Sequence, residues 1–578
     1  MDLPLYPNPN PSSMQKRKKT TTRFILAFLL LSGLIACQNK TQTMENKLKA
    51  FIEAYDAKVK PLQKEASLAY WDASGSGKDE AYAKFEDLSN QLVKIYADKK
   101  DFATLKEIKE SKAIKDTLLN RQLEVLYLSY LGTQTDTSKL EKVIKLETAI
   151  EKKFNTFRVE LKGNKLSDNE VEDLLRTSVN SEELKAAWLG SKEIGLTVAE
   201  DLIKLVKMRN EIAKELGFNN YHEMSLKLSE QDPTEVEKVF DELDELTRAS
   251  FASLKNDIDT YYATRYKIPA AQLMPWHYQN RFFQEAPKIY PIDLDVYYKD
   301  KDVVKLTKDY YSGLGFDISS ILEHSDLYER PGKYQHAYCT NIDNEGDVRV
   351  MANVKNNAYW MNTMLHECGH AVYDKYIDSS LPFSLRTPAH TFTTEAIAQI
   401  FGRFASNPMW IKDMTGISED EMKKIAEDSH KTLRLEQLVF SRWAQVMYRF
   451  EKGLYENPDQ DLNKLWWDLV EKYQMLKRPE GRNAPDWASK IHIASSPCYY
   501  HNYLLGELLA SQLYYHITTN VLKSDDYSNT DFAGRKEVGN YLKDKVFAPG
   551  ARFFWNDMIE KATGEKLTAK YYAKQFVK

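Results

Sequence analysis

His366-Glu367-Cys368-Gly369-His370 is the stretch on which the fold and the chemistry of this chain turn. Its two histidines stand at i and i+4, so a helix carries both imidazoles on one face, close enough to grip one ion, and zinc suits that pair. Glu367 lies between them, where its carboxylate can take a proton from a water held at the ion. The flanks agree. Residues 360–377 read as one helix, with Met361, Leu365, Cys368, Val372 and Tyr376 at helical spacing and no glycine or proline beyond the motif's own. Cys368 points away from the metal face and reads as packing.

Two histidines need a third protein ligand, with the fourth position left for water. A histidine six residues after His370, preceded by a glycine, is excluded, because Tyr373 and Tyr376 occupy those places. A glutamate from the following helix remains, and Glu395 supplies it 25 residues after His370. Pro388 stops the preceding segment, Thr393 and Thr394 are good helix caps, and Glu395 then falls in the first helical turn. His390, in the loop before it, reads as a surface or packing histidine.

Around this centre the chain is mostly helical in pattern. Residues 41–230 are rich in Lys, Glu, Leu and Ala, with helices expected over 46–60, 78–98, 138–157 and 196–216. Strand signals are confined to residues 337–342 and 347–351, which predict a small hairpin across Asp343-Asn344-Glu345-Gly346. At 578 residues the chain exceeds what one simple core spans. The expected fold is therefore mainly α, two helical lobes with a deep central cleft, a β hairpin beside the zinc helix and an N-terminal helical lid. A hydrophobic content of 43% suits a globular protein, and a net charge of -4 argues against a nucleic-acid partner.

Residues 1–36 read as a signal peptide rather than as fold. Lys16-Arg17-Lys18-Lys19 and Arg23 form a basic region, and an apolar run from Phe24 to Ala36 follows, too short to span a bilayer comfortably. Leu34-Ile35-Ala36-Cys37 resembles a bacterial lipobox, in which Cys37 takes the lipid and becomes the mature N-terminus. The expectation is export and lipid anchoring to the bacterial cell envelope, with residues 37–578 forming the working domain. Cys339, Cys368 and Cys498 are left, an odd number that excludes a disulfide framework.

Several separated segments resemble the angiotensin-converting enzyme family of zinc peptidyl-dipeptidases. They are the zinc motif, Leu381-Pro382-Phe383-Ser384-Leu385-Arg386, Glu395-Ala396-Ile397, and the segment from Lys490 to Ser496 with Tyr500 and Tyr503. His336-Ala337 precedes the motif by 30 residues, and Ile268-Pro269-Ala270 precedes Gln279. The resemblance implies His366, His370 and Glu395 as ligands of one zinc ion and Glu367 as the base. It implies Tyr503 and His492 as donors to the oxyanion, and His336 and Ala337 as residues that align the peptide. Gln279, Lys490 and Tyr500 would bind the substrate's terminal carboxylate, a match that a lysine, an amide and a phenol suit chemically.

Three departures from the family pattern stand out. An extra residue after His492 leaves Tyr499 as an alternative to Tyr500. Asn502 replaces the arginine of chloride-sensitive relatives, so halide activation does not carry over. Gln399 replaces an acid four residues after Glu395, changing the groups behind the metal ligands. The expected activity is release of dipeptides from the free C-termini of oligopeptides. The alternatives are an oligopeptide endopeptidase of the thimet oligopeptidase or oligoendopeptidase type, and a non-catalytic peptide-binding envelope lipoprotein.

Overall fold

The computed structural model describes residues 12–526 and 530–577, with side chains from Lys40 onward. Cys37 and the lipobox side chains lie outside the described residues. Four helices form the N-terminal part: α1 (Ser12–Ser76), α2 (Asp79–Tyr96), α3 (Lys99–Ser111) and α4 (Thr117–Leu131). Where the pattern predicts a helix over 46–60, α1 runs on through Pro61 to Ser76 and stops before Gly77, whose φ of 68° a side chain would oppose. Asp98 caps α3 by accepting from the amides of Lys100 and Asp101, and Asp116 caps α4 by accepting from Leu119.

These helices carry a small core of their own, built on Leu48, Tyr55, Val59, Leu105, Ile108, Leu123 and Tyr130. Phe383 is the one buried member of that cluster from outside the four helices. The helices meet the rest of the protein through mixed contacts: Leu118 packs on the main core, and Tyr70 and Trp71 pack on Tyr338 with ring centres 5.5 and 6.2 Å apart, beside several polar bonds. Arg121 forks onto Glu230 (2.8 Å for one arm) and donates to the Ala551 carbonyl at 2.8 Å. The end of α1 receives the Tyr334 amide on Ser74 O, the Arg330 guanidinium on Gly75 O and the Tyr338 hydroxyl on Ser74 Oγ.

The remaining helices share one continuous core that runs from Val143 to Phe576. Long amphipathic members are α5 (Ser181–Glu215), α6 (Pro233–Tyr266, with Pro at its first position) and α9 (Glu419–Glu456). Two two-stranded antiparallel sheets complete the described structure. One, β1 (Val159–Leu161) with β2 (Asn164–Leu166), was not expected, since its three-residue strands around Lys162-Gly163 are too short to show a period. The other pairs β3 (Tyr338–Asn341) with β4 (Val348–Met351), Asn341 opposite Val348, as the hairpin signal predicts. The fold is mainly α, as expected. No helix among the described residues is long and apolar enough to cross a membrane.

Candidate metal centre and substrate channel

The metal-binding motif lies on α7 (Ala358–Lys375), which begins where the Asn357 side chain accepts from the Trp360 amide at 2.9 Å. Its apolar face, with Met361, Met364, Leu365, Cys368 and Val372, is buried in the main core. Glu395 comes from α8 (Thr391–Arg403). This helix starts earlier than expected. His390, not a threonine, is its cap, accepting from the Phe392 amide while its other nitrogen contacts the Ser229 carbonyl at 2.8 Å. Glu395 therefore sits in the second turn, and His390 is a structural residue rather than a ligand.

Gly369 explains how α7 and α8 meet. A Cβ there would lie 2.9 Å from the Ala398 Cα and 3.1 Å from the Phe401 ring, so only glycine allows the two backbones to approach this closely. α10 (His501–His516) closes on the other side of Glu395 in the same way, with Gly506 where a Cβ would stand 3.2 Å from the Glu395 Cγ. Asn362 donates to the Gly402 carbonyl at 2.8 Å and ties α7 to the end of α8.

The close packing brings His366, His370 and Glu395 together. Glu395 Oε1 is 3.7 Å from His366 Nε2, Oε2 is 3.6 Å from His370 Nε2, and one ligand atom from each residue lies within 4.8 Å of the others. Burial lowers His366 to about 4 and pushes His370 down further, so both imidazoles are neutral, the form that binds metals. Burial, then the charge of Glu507, lifts Glu395 to about 7. A half-buried carboxylate facing two neutral imidazoles, with no ion pair to lysine or arginine among the described residues, is a donor set suited to a divalent ion. Thr394 holds His370 Nδ1 at 2.8 Å and fixes the ring. Gln399, in place of an acid, reaches Glu395 Oε1 and the Tyr503 carbonyl only at 3.4 Å each, and its own oxygen is buried without a partner.

Glu367 is 8% exposed. Burial, then Glu395, raises it to about 8, against the pull of the Cys339 amide, which donates to it. It opens into a cavity of about 620 Å³ that also holds Ala337, Tyr338, Cys339 and Asp374. A second cavity of about 440 Å³ adjoins His366 and Glu395 and is lined also by His492, Tyr500 and Glu436. Tyr503 lines both. Its phenol is held protonated by burial and by Glu395, and its hydroxyl has no protein partner among the described residues. His492, lowered to about 4 by burial and then by Lys490, is a neutral imidazole whose Nδ1 is buried without a partner.

Behind Tyr500 lies Lys490, 7% exposed, its ammonium 5.3–5.5 Å from the ring centres of Phe282, Trp443 and Tyr500. Its hydrogen-bond partner is Gln284 Oε1 at 2.6 Å. Burial, then the nearby Arg281 guanidinium, lowers it to about 8. Gln279 is not brought here: it takes a φ of 61° and donates to the Arg176 carbonyl at 3.1 Å. Of the two tyrosines, Tyr500 packs on His492 (ring centres 5.4 Å apart) and below Lys490, whereas Tyr499 is turned to Thr391. Ala337 lines the first cavity, but His336 is exposed with its ring 5.5 Å from Tyr334. Asn502 is neutral and already accepts from Gln231 at 2.8 Å. Cys368 is buried and unpaired by any disulfide.

The family model described as angiotensin-converting enzyme, peptidase M2, matches residues 42–576. Angiotensin-converting enzyme of Sus scrofa is 22% identical over 559 residues, covering 90% of this chain and 42% of the relative. That of Rattus norvegicus is 22% identical over 562 residues, 91% of this chain and 42% of the relative. Carboxypeptidase 1 of Bacillus subtilis (strain 168) is 25% identical over 260 residues, 41% of this chain and 50% of the relative. The chain thus spans about two fifths of the length of the first two.

Proposed function

From a chain that belongs to the angiotensin-converting enzyme family, we propose a zinc peptidase that removes dipeptides from the free C-termini of oligopeptides. His366, His370 and Glu395 would hold the zinc. What zinc supplies in such a site, when bound, is Lewis acidity toward a carbonyl and a neighbouring water. Glu367 acts as the carboxylate that a nearby cation favours: it accepts the proton of the attacking water and passes it to the leaving amine. Tyr503 and His492 donate to the oxygen that gains charge as the carbonyl becomes tetrahedral. Ala337 offers its backbone to the peptide.

Lys490 is the observation that carries the exopeptidase reading. A buried ammonium that has aromatic rings and an amide around it, and no ion pair among the described residues, lacks the anion that would offset its burial. The C-terminal carboxylate of a substrate supplies one, with Gln284 and Tyr500 as further contacts. The test is mass spectrometry of the products from an unblocked decapeptide and from its C-terminal amide. Successive dipeptides from the acid, with the amide at least about ten times slower, is the expected result. Equal cleavage of both at internal bonds would favour an endopeptidase.

The lipobox at Leu34–Cys37 adds export and attachment to the cell envelope through lipid on Cys37. Fatty-acid labelling that survives Cys37→Ser would overturn that part alone.

A further inference from the structure

Asp374 takes no part in the chemistry above. It follows His370 by four residues on α7, so it stands one helical turn, ~6 Å along the axis, beyond the second ligand on nearly the same face. It lines the first cavity, whereas Tyr500 and His492, beside Lys490, line the second. No hydrogen bond or ion pair holds its carboxylate among the described residues, and burial raises it to about 7. The position is costly for an acid, and nothing local explains it. His370 does not need it for orientation, because Thr394 already holds the free ring nitrogen at 2.8 Å. His390, the nearest basic side chain lining the cavity apart from the ligands, is lowered to about 4 by burial and bonded to Ser229. Neither lysine nor arginine lines this cavity.

Direction follows from the two cavities. With the terminal carboxylate at Lys490, the residues after the scissile bond fill the second cavity and those before it lie in the first. An extended peptide advances ~3.3–3.6 Å per residue, so one helical turn from the ligands corresponds to about two residues before the bond. Resting on the proposed peptidase activity, we infer that Asp374 selects substrates with a basic side chain at the first or second residue before the scissile bond. The ammonium or guanidinium completes a charge-assisted pair that the empty cavity lacks. Glutamate at the same place meets Asp374, Glu367 and Glu395 on one wall and is rejected by like charge.

The experiment uses N-acetylated peptides with free C-termini that differ only in lysine, norleucine or glutamate at each of those two positions. Acetylation removes the competing terminal amine, and norleucine keeps the length of lysine without its charge. At one of the positions kcat/KM should favour lysine over norleucine by about ten- to a hundredfold at low salt, with glutamate below both. Asp374→Asn should bring the lysine-to-norleucine ratio near one, and Asp374→Arg should turn the preference toward glutamate. The same ratio, read as dissociation constants by calorimetry on Glu367→Gln protein, separates binding from turnover. Dipeptides released equally fast from lysine and norleucine peptides, or a ratio that Asp374→Asn leaves intact, overturns the role of Asp374 while the exopeptidase reading stands. Internal cleavage with the lysine preference retained overturns the exopeptidase reading and leaves Asp374 as the selector.

Discussion

The two cavities that flank the metal ligands differ in where their charge lies. The first has Glu367 and Asp374 on its wall and no lysine or arginine. The second is lined by Glu395, Glu436 and Glu507, the last paired with Arg403, and beyond its Tyr500 the buried Lys490 ammonium stands among three aromatic rings. The first wall therefore lacks a cation, and Lys490 behind Tyr500 lacks an anion. A peptide bound as proposed has both to offer, and it would satisfy both in only one orientation. On that reading the channel is polar in the sense that a magnet is: the protein would dictate which way the chain lies before any bond breaks.

The largest expected effect comes from the first cavity. Glu367→Gln should keep the fold and the metal but lose about 10²–10⁴-fold in kcat, because an amide cannot accept the proton. Elemental analysis beside single-turnover kinetics checks both halves, and wild-type turnover with metal bound would sink the assignment of the base.

Tyr503 belongs to both cavities, so Tyr503→Phe tests what they share. The expected loss is about 10²–10³-fold in kcat with little change in KM, since the hydrogen bond forms as charge develops. A change confined to KM would move Tyr503 from stabilising the reaction to holding the substrate.

In the second cavity, Lys490→Ala should cost about ten- to a hundredfold in kcat/KM for a free acid and much less for the amide of the same peptide. Equal losses for both would mean that Lys490 supports the structure and does not read the terminus.

The smallest effect is one of pH. Burial lowers Lys490 to about 8, so its ammonium is present below that pH and lost as pH rises through it. KM for the free acid should therefore climb above about 8, by up to about tenfold per pH unit, while KM for the amide stays level. Parallel KM profiles would remove the titrating cation from the second cavity.

Much of this site could be read from the chain. The i, i+4 histidines and the hairpin have periodic signals and fall within a residue or two of their expected places, while the helix of the glutamate 25 residues on begins about one turn early. Gln284 could not be read in the same way. Gln279 sits at the family's spacing from Ile268, but the Asn280 side chain accepts from the amides of Phe282 and Gln284 and turns the chain there. Positive φ at Gln279 and Phe283 adds to the turn, which delivers a different glutamine to Lys490. Such a loop has no period, and its course is set by what it packs on. The cap of α8 was missed because histidine is rarely used as one. Asp374 did carry a signal: counting one more turn along the face of His366 and His370 reaches it.

The helical lid has a consequence for temperature. Its core closes on itself, and Phe383 is the one buried side chain from the body that enters it. The rest of the seam combines Leu118 on the main core and Tyr70 and Trp71 on Tyr338 with polar bonds, from Arg121 to Glu230 and Ala551 and from Arg330 and Tyr338 to the end of α1. Parting this seam would expose Phe383, Leu118 and the contact of Tyr70 and Trp71 with Tyr338, far less apolar surface than the main core holds, and heat capacity follows apolar exposure. Admission of a peptide that parts the seam should thus have a small heat-capacity change beside the large one of unfolding the body behind it. Such a seam would change less in strength from cold to warm than the fold it closes.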